Sequence, residues 1–79
     1  LHSQIKKPLN LLQNALNESV SIRLKNNIEY KGKMSDVDAF MNLIIKNASE
    51  YSEGVLKSNY GNVIIRGNNV LFIKLNDQL

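Results

Sequence analysis

Residues 20–34 decide the fold, and they read VSIRLKNNIEYKGKM. From Val20 to Leu24 apolar residues alternate with polar ones, which is typical of a strand buried on one face. The Asn26-Asn27 pair predicts a tight hairpin turn, because asparagine tolerates positive φ. The next strand shows the same alternation, and Gly32 lies at an inward position in it, where glycine permits a sharp bend. The stretch therefore predicts two antiparallel strands of a strongly bent sheet.

The segment before these strands predicts a short helix. Residues 8–17 read PLNLLQNALN, and Pro8 suits a first helical turn, where its missing N–H costs nothing. Leu9, Leu12 and Leu16 recur at helical spacing and form one apolar stripe. Because a helix of this length is marginal alone, we expect the stripe to pack on the sheet.

The segment after these strands predicts three more strands. The third runs from about Phe40 to Tyr51 and is followed by a loop or hairpin tip at about residues 52–58. The fourth covers residues 59–66, and the fifth covers residues 70–75 after a turn. The expected fold is mostly β, with a short N-terminal helix followed by a five-stranded, strongly bent small barrel of the SH3-like or OB-like kind.

Composition limits both the architecture and the chemistry. The chain has 79 residues, which predicts a single domain over 1–79, and it has no cysteine, one histidine and a net charge of +3. Disulfides and thiolate metal sites are excluded, and the residues that commonly perform nucleophilic or general acid–base catalysis are lacking. We therefore expect no enzyme, no cofactor and no metal site. No apolar run is long enough to span a membrane, and the lack of cysteine favours a cytoplasmic protein.

Self-association is the expected way for so small a chain to bury more surface. The last two strands carry the apolar runs VIIR and VLFIKL, at residues 63–66 and 70–75. Open strand edges of this kind pair with other chains. A head-to-tail contact between such edges closes into a ring where the rotation allows it.

Two segments together resemble the two halves of the Sm/Lsm signature, and most of all that of archaeal Sm-like proteins. The first covers about residues 20–45 and includes the D-x-F-M-N-L run at 38–43. The second covers about residues 62–75 and includes the I-R-G-N run at 65–68. The resemblance implies a ring of identical subunits, often seven, that binds uridine-rich single-stranded RNA on its inner rim. It also implies a role as a scaffold for ribonucleoprotein assembly or RNA processing, with RNA-processing proteins as partners.

The resemblance also implies the residues of an RNA-binding site. In the family the base lies between the residues that match Phe40 and Arg66. Both side chains can stack on a base, and Asn42 offers a donor and an acceptor side by side. Phe40 and Asn42, two residues apart on an expected strand, should share a face. Gly67 allows close approach, and Asp38 should orient its loop by accepting backbone N–H bonds.

The chain differs from many archaeal relatives at two of these positions. Phe40 stands where they carry histidine, and Asn68, which we include in the site, stands where they carry aspartate. A carboxylate only accepts hydrogen bonds, so it would hold the Asn42 amide in the orientation that fits uracil. Asn68 can accept or donate, and we therefore expect looser discrimination of uracil from cytosine.

Other interpretations of these residues stay open at the level of sequence. Taken singly, Phe40 suits a core residue, Asn42 a turn former and Arg66 a solvated charge. Asp36 and Asp38 could suggest paired carboxylates or metal ligands, but no third ligand lies nearby in sequence. Lys6 and Lys7 could contact RNA. The alternative to an RNA-binding subunit is a structural oligomer module that acts mainly through protein partners.

Overall fold

A computed structural model describes residues 4–5 and 9–75 of the chain. These residues form one helix, six strands and a 3-10 turn. Their bounds are α1 Leu9–Asn14, β1 Gln4–Ile5, β2 Ser19–Leu24, β3 Ile28–Val37, β4 Leu43–Ser52, β5 Val55–Ile65, the 3-10 turn Gly67–Asn69 and β6 Val70–Leu75.

The strands form one antiparallel sheet in the order β1-β6-β2-β3-β4-β5. Gly32 lies on the inside of the bend in β3, where a Cβ would stand 2.6 Å from Ile45 Cγ2 and 2.7 Å from the carbonyl oxygen of Lys46. Only glycine fits so close to the next strand. The expected mostly-β, strongly bent barrel is confirmed, and β5 and β6 lie near opposite ends of the strand order.

The core is apolar and lies inside the bend. Its eleven buried members are Leu12, Ala15, Val20, Ile22, Met34, Val37, Leu43, Ile45, Ala48, Ile65 and Ile73. They come from the helix, from the turn at Ala15 directly after it and from five strands, and the opposite face of the sheet is left to solvent. That residues 1–79 form a single domain stays a prediction, although the described residues share this one cluster.

The helix is shorter than the residue 8–17 segment that its apolar spacing predicts. It ends at Asn14, and Asn17 has a φ of 69°. Backbone bonds then attach the chain to β3: the Asn17 N–H donates to the Met34 carbonyl (2.6 Å), and the Met34 N–H donates to the Glu18 carbonyl (3.0 Å). Backbone bonds of Asn17 and Glu18 to β3 thus take the place of the last turn of the predicted helix.

One expectation about the strands is wrong. The loop predicted at residues 52–58 is only a two-residue turn at Glu53-Gly54, with φ values of 52° and 79°. Two consecutive positive-φ residues match the twist of the flanking strands, so β5 begins at once at Val55. In addition, the sequence did not predict β1, a two-residue strand at Gln4–Ile5 that pairs with β6.

Candidate nucleic-acid interface

The loop that joins β3 to β4 is organised by the carboxylate of Asp38. Its Oδ1 accepts hydrogen bonds from the backbone N–H groups of Phe40 and Asn42, both at 2.9 Å. The hydrogen bonds from Asn42, backbone first and then side chain, lower the pKa of Asp38, and the Phe40 N–H adds to this. The expectation that Asp38 orients its loop by accepting backbone N–H bonds is confirmed.

The Asn42 amide has a single orientation that satisfies its neighbours. Its Nδ2 donates to Asp38 Oδ2 at 3.0 Å, and its Oδ1 accepts from the Gly67 N–H at 2.8 Å. A carboxylate cannot donate and a backbone N–H cannot accept, so a rotation of the amide by 180° would lose both bonds. The expectation that the amide is free to flip because Asn68 replaces aspartate is therefore wrong. Asp38 and Gly67 orient the amide.

Gly67 joins the β3–β4 loop to the turn before β6. A Cβ at this position would overlap the carbonyl oxygen of Phe40 and would lie 2.7 Å from that of Met41. The expected close approach is thus confirmed, but the neighbour is the protein's own loop. Sequence reasoning missed Met41, whose φ of 64° turns the loop toward Gly67, and its apolar side chain gave no signal of that role.

Phe40 lies in the loop before β4 and does not belong to the core. Its side chain is 83% exposed, and it lines a cavity of about 270 Å³ with Gly67, Asn68 and residues of β6. Asn42 lines a different cavity. The prediction that Phe40 and Asn42 share a strand face is therefore wrong, because β4 begins only at Leu43 and Met41 interrupts the extended backbone.

The second cavity, of about 350 Å³, brings together the other predicted polar residues. Asp38, Asn42 and Arg66 line it, with Ile44 and Ile64 beside them. Arg66 is exposed, and its guanidinium has no hydrogen-bond or ion-pair partner among the residues that the structure describes. Ile64 is 74% exposed and also lines this cavity. Sequence reasoning missed it, because the apolar run around Ile64 predicted only a contact between strand edges of neighbouring subunits.

The arrangement offers groups suited to a planar polar base. Asn42 keeps one N–H on Nδ2 and one lone pair on Oδ1 for a ligand, since each atom uses only one of its two bonds internally. A base with a carbonyl beside an N–H fits that pair. Arg66 exposes a flat guanidinium in the same cavity, and Phe40 exposes its ring in the other cavity, two residues before Asn42 in the loop. Such flat surfaces stack on bases.

Other kinds of site find no support in residues 4–5 and 9–75. No group of three or more potential metal-ligating side chains occurs there. Asp36 instead accepts the Val37 N–H at 2.8 Å through Oδ1. None of the described helices is long and apolar enough to cross a membrane. Lys6 and Lys7, considered above as RNA contacts, lie outside the described residues.

Comparison with known proteins identifies the family. The LSM domain model matches residues 10–75. A predicted snRNP Sm-like protein of Methanosarcina barkeri is 43% identical over 67 residues, which cover 85% of this chain and 93% of the relative. The U6 snRNA-associated Sm-like protein LSm6 of Mycosarcoma maydis is 38% identical over 66 residues, which cover 84% of this chain and 78% of the relative.

Solved structures of Sm proteins resemble this fold. The Pyrococcus abyssii Sm protein, solved in complex with a uridine heptamer, superposes with a TM-score of 0.82 at 30% identity, covering 87% of this chain and 97% of that one. A heptameric archaeal Sm protein superposes with a TM-score of 0.76 at 30% identity, covering 84% of this chain and 96% of that one. Members of this family are RNA-binding proteins without enzymatic activity. By its sequence and by its fold, the chain belongs to the LSM domain family of Sm-like proteins.

Proposed function

We propose that this protein forms a closed ring of identical subunits, most simply seven, and that each subunit binds one uridine of a single-stranded, U-rich RNA. The oriented amide of Asn42 is the observation that carries the proposal. Its free N–H and lone pair match the adjacent carbonyl and N–H of uracil. Phe40 and Arg66 stack on the base, and Gly67 holds the two loops together.

The open edges of the sheet support the ring. The outer edge of β5 has no strand partner among the described residues, and on this strand Ile64 is exposed although it is apolar. Leu71 on β6 is likewise 52% exposed. Among the described residues, β1 pairs with β6 only at Ile73 and Lys74, so the part of β6 before Ile73 keeps a free edge. Pairing β5 of one subunit with this part of β6 in the next buries both side chains. Seven copies of an 8.9 kDa chain of charge +3 give about +21, which favours a polyanionic ligand.

The solved structures give independent support for this ligand and this assembly. The Pyrococcus abyssii protein was solved with a uridine heptamer, and another archaeal relative is a heptamer. On this proposal the ring holds RNA as a scaffold for ribonucleoprotein assembly or RNA processing. We place this work in the cytoplasm, on the ground that the chain has no cysteine.

Oligonucleotide binding tests the pocket. In fluorescence anisotropy, oligo-U should bind more tightly than oligo-A, and Phe40→Ala should weaken oligo-U binding roughly tenfold, since one stacked base contributes about 1–3 kcal/mol. Leu56→Ala is the matched control, because Leu56 is an exposed apolar residue at the far hairpin. Native mass spectrometry should give a species near seven times 8.9 kDa.

Two results would contradict the proposal. Equal affinity for oligo-U and oligo-A would remove the role assigned to Asn42. A Phe40→Ala protein with the oligo-U affinity of the wild type would show that the base lies elsewhere. An assembled ring without affinity for either oligonucleotide would favour the alternative of a structural module that acts through protein partners.

A further inference from the structure

Three lysines share the outward face of the central strands. Gly32 and Met34 point into the core from β3, so Lys31 and Lys33 point outward on either side of the bend. Ile45 is buried on β4, so Lys46 also points outward. All three lysines are exposed. We call Lys31, Lys33 and Lys46 the basic face.

A β-bulge puts two of these charges directly opposite each other. Lys31 pairs with Ser49 across the strands, and an unbroken register would bring Asn47 opposite Lys33. Asn47 instead has a φ of 53°, the register shifts by one residue, and Lys33 pairs with Lys46. Like charges in directly opposed positions destabilise a sheet.

The acidic residues of β3 and β4 form no ion pair with the lysines of the basic face. Glu50 is the only acid on β4, and it points to the other face, where its Oε1 accepts hydrogen bonds from Tyr30 Oη and Tyr60 Oη at 3.1 and 2.9 Å. On β3, Glu29 pairs with Arg23 at 3.4 Å. Asp36, the other acid of β3, lies opposite Ile44 and lines the cavity, where its Oδ1 accepts the Val37 N–H at 2.8 Å. β5 carries no acid, and no described carboxylate forms an ion pair with any of the three lysines.

The basic face is continuous with the candidate site. Ile44 and Ile64 line the cavity that Asn42 and Arg66 also line. Lys46 and Asn62 follow two residues away on the same strands and the same face, a distance of about 7 Å. A chain that leaves the cavity in this direction therefore meets Lys46 next.

We propose that the basic face binds the phosphates of the RNA segment that flanks the bound uridine. This proposal rests on the proposed function, since it takes RNA as the ligand of the cavity. A polyanion relieves the repulsion between Lys33 and Lys46, and the phosphate contacts are independent of base sequence. The basic face thus adds affinity for long RNA, while the pocket supplies the preference for uridine.

Binding of short and long oligo-U separates the two sites. The variant Lys33→Gln/Lys46→Gln should bind a uridine trinucleotide as the wild type does, because the trinucleotide is held by the pocket. It should bind long oligo-U about tenfold more weakly at physiological salt, and the slope of log K against log salt should fall by about 1.4, or roughly 0.7 for each lost phosphate contact. The midpoint of thermal unfolding should be unchanged or higher, since the variant loses a like-charge pair.

The variant Lys25→Gln/Lys57→Gln is the matched control. It removes two exposed lysines at a turn and a hairpin end, away from the basic face, and should keep the affinity and the salt slope of the wild type. Wild-type affinity for long oligo-U in Lys33→Gln/Lys46→Gln would overturn the proposal. If the variant kept wild-type affinity for long oligo-U but bound polyglutamate more weakly than the wild type does, the basic face would be a site for an acidic protein segment. That result would also overturn the proposal. A wild-type protein that fails to bind the trinucleotide would overturn the proposed function itself.

Discussion

Gly67→Ala should destabilise the protein through the contact between the turn before β6 and the β3–β4 loop. The φ of Gly67 lies outside the left-handed region, so the effect is steric. The new Cβ would lie 2.7 Å from the Met41 carbonyl oxygen and would overlap that of Phe40, whereas Cβ contacts below 3.0 Å essentially do not occur. The turn must therefore move away from the loop.

The size of the effect follows from two terms. Overpacking against backbone atoms costs about 1–3 kcal/mol. Displacement of the turn also weakens the 2.8 Å hydrogen bond from the Gly67 N–H to Asn42 Oδ1, which contributes about 0.5–1.5 kcal/mol. The free energy of unfolding should thus fall by about 2–4 kcal/mol. For a domain of this size the midpoint of thermal unfolding should drop by at least about 8 °C.

Urea denaturation followed by circular dichroism measures this difference, with all proteins at one concentration because assembly contributes to apparent stability. Gly61→Ala is the matched control: a Cβ at Gly61 has no atom within 4 Å, so its unfolding free energy should stay within about 0.5 kcal/mol of the wild type or rise. Equal stabilities of the two alanine variants would refute the steric argument. Oligo-U affinity should fall in Gly67→Ala as well, because the same movement releases the Asn42 amide.

Three further predictions concern assembly, base preference and pH. Ile64→Glu should give a folded single chain of 8.9 kDa in native mass spectrometry, because it charges the open edge of β5, whereas Leu56→Glu should leave the assembly intact. Asn68→Asp should leave the ratio of oligo-U to oligo-C affinity unchanged, whereas Asp38→Ala should lower this ratio, since Asp38 orients the base-reading amide of Asn42. A competition titration measures the ratio, and a change in Asn68→Asp without a change in Asp38→Ala would contradict the prediction. Burial, together with the hydrogen bond and the charge of Glu50, raises the pKa of Tyr30 to about 12. The neutral Tyr30 hydroxyl therefore contributes fully to the free energy of unfolding below pH 10, and this contribution is lost as the pH rises toward 12. Urea titrations at several pH values should show the loss in the wild type and not in Tyr30→Phe.

The local patterns of the sequence were sufficient for the architecture. Alternation from Val20 to Leu24 and the apolar runs near the C-terminus determine strands whatever lies beside them, because burial of one face requires a period of two. Gly32 at an inward position indicated the bend in advance. The D-x-F-M-N-L run at 38–43 and the I-R-G-N run at 65–68 likewise carried the resemblance to the Sm/Lsm family.

The geometry of the site depended on contacts that a linear pattern does not contain. Phe40 and Asn42 looked like neighbours on one strand, but the positive φ of Met41 separates them into two cavities. Asn68 looked like the residue that controls the Asn42 amide, although the bonds come from Asp38, four residues before Asn42, and from a backbone N–H that lies 25 residues beyond it.

The basic face shows the same division between sequence and tertiary structure. On the strands that the sequence predicts, Lys33 lies between Gly32 and Met34, and Lys46 follows Ile45, so both alternate with apolar or inward positions. Only the register determined that they oppose each other, through a single bulge at Asn47. The physical reason is that side-chain alternation is a local property of the backbone, whereas the pairing of two strands is decided by the summed contacts along their whole length. One inserted residue changes every partner beyond it, and in β4 it moves the next buried position from residue 47 to Ala48.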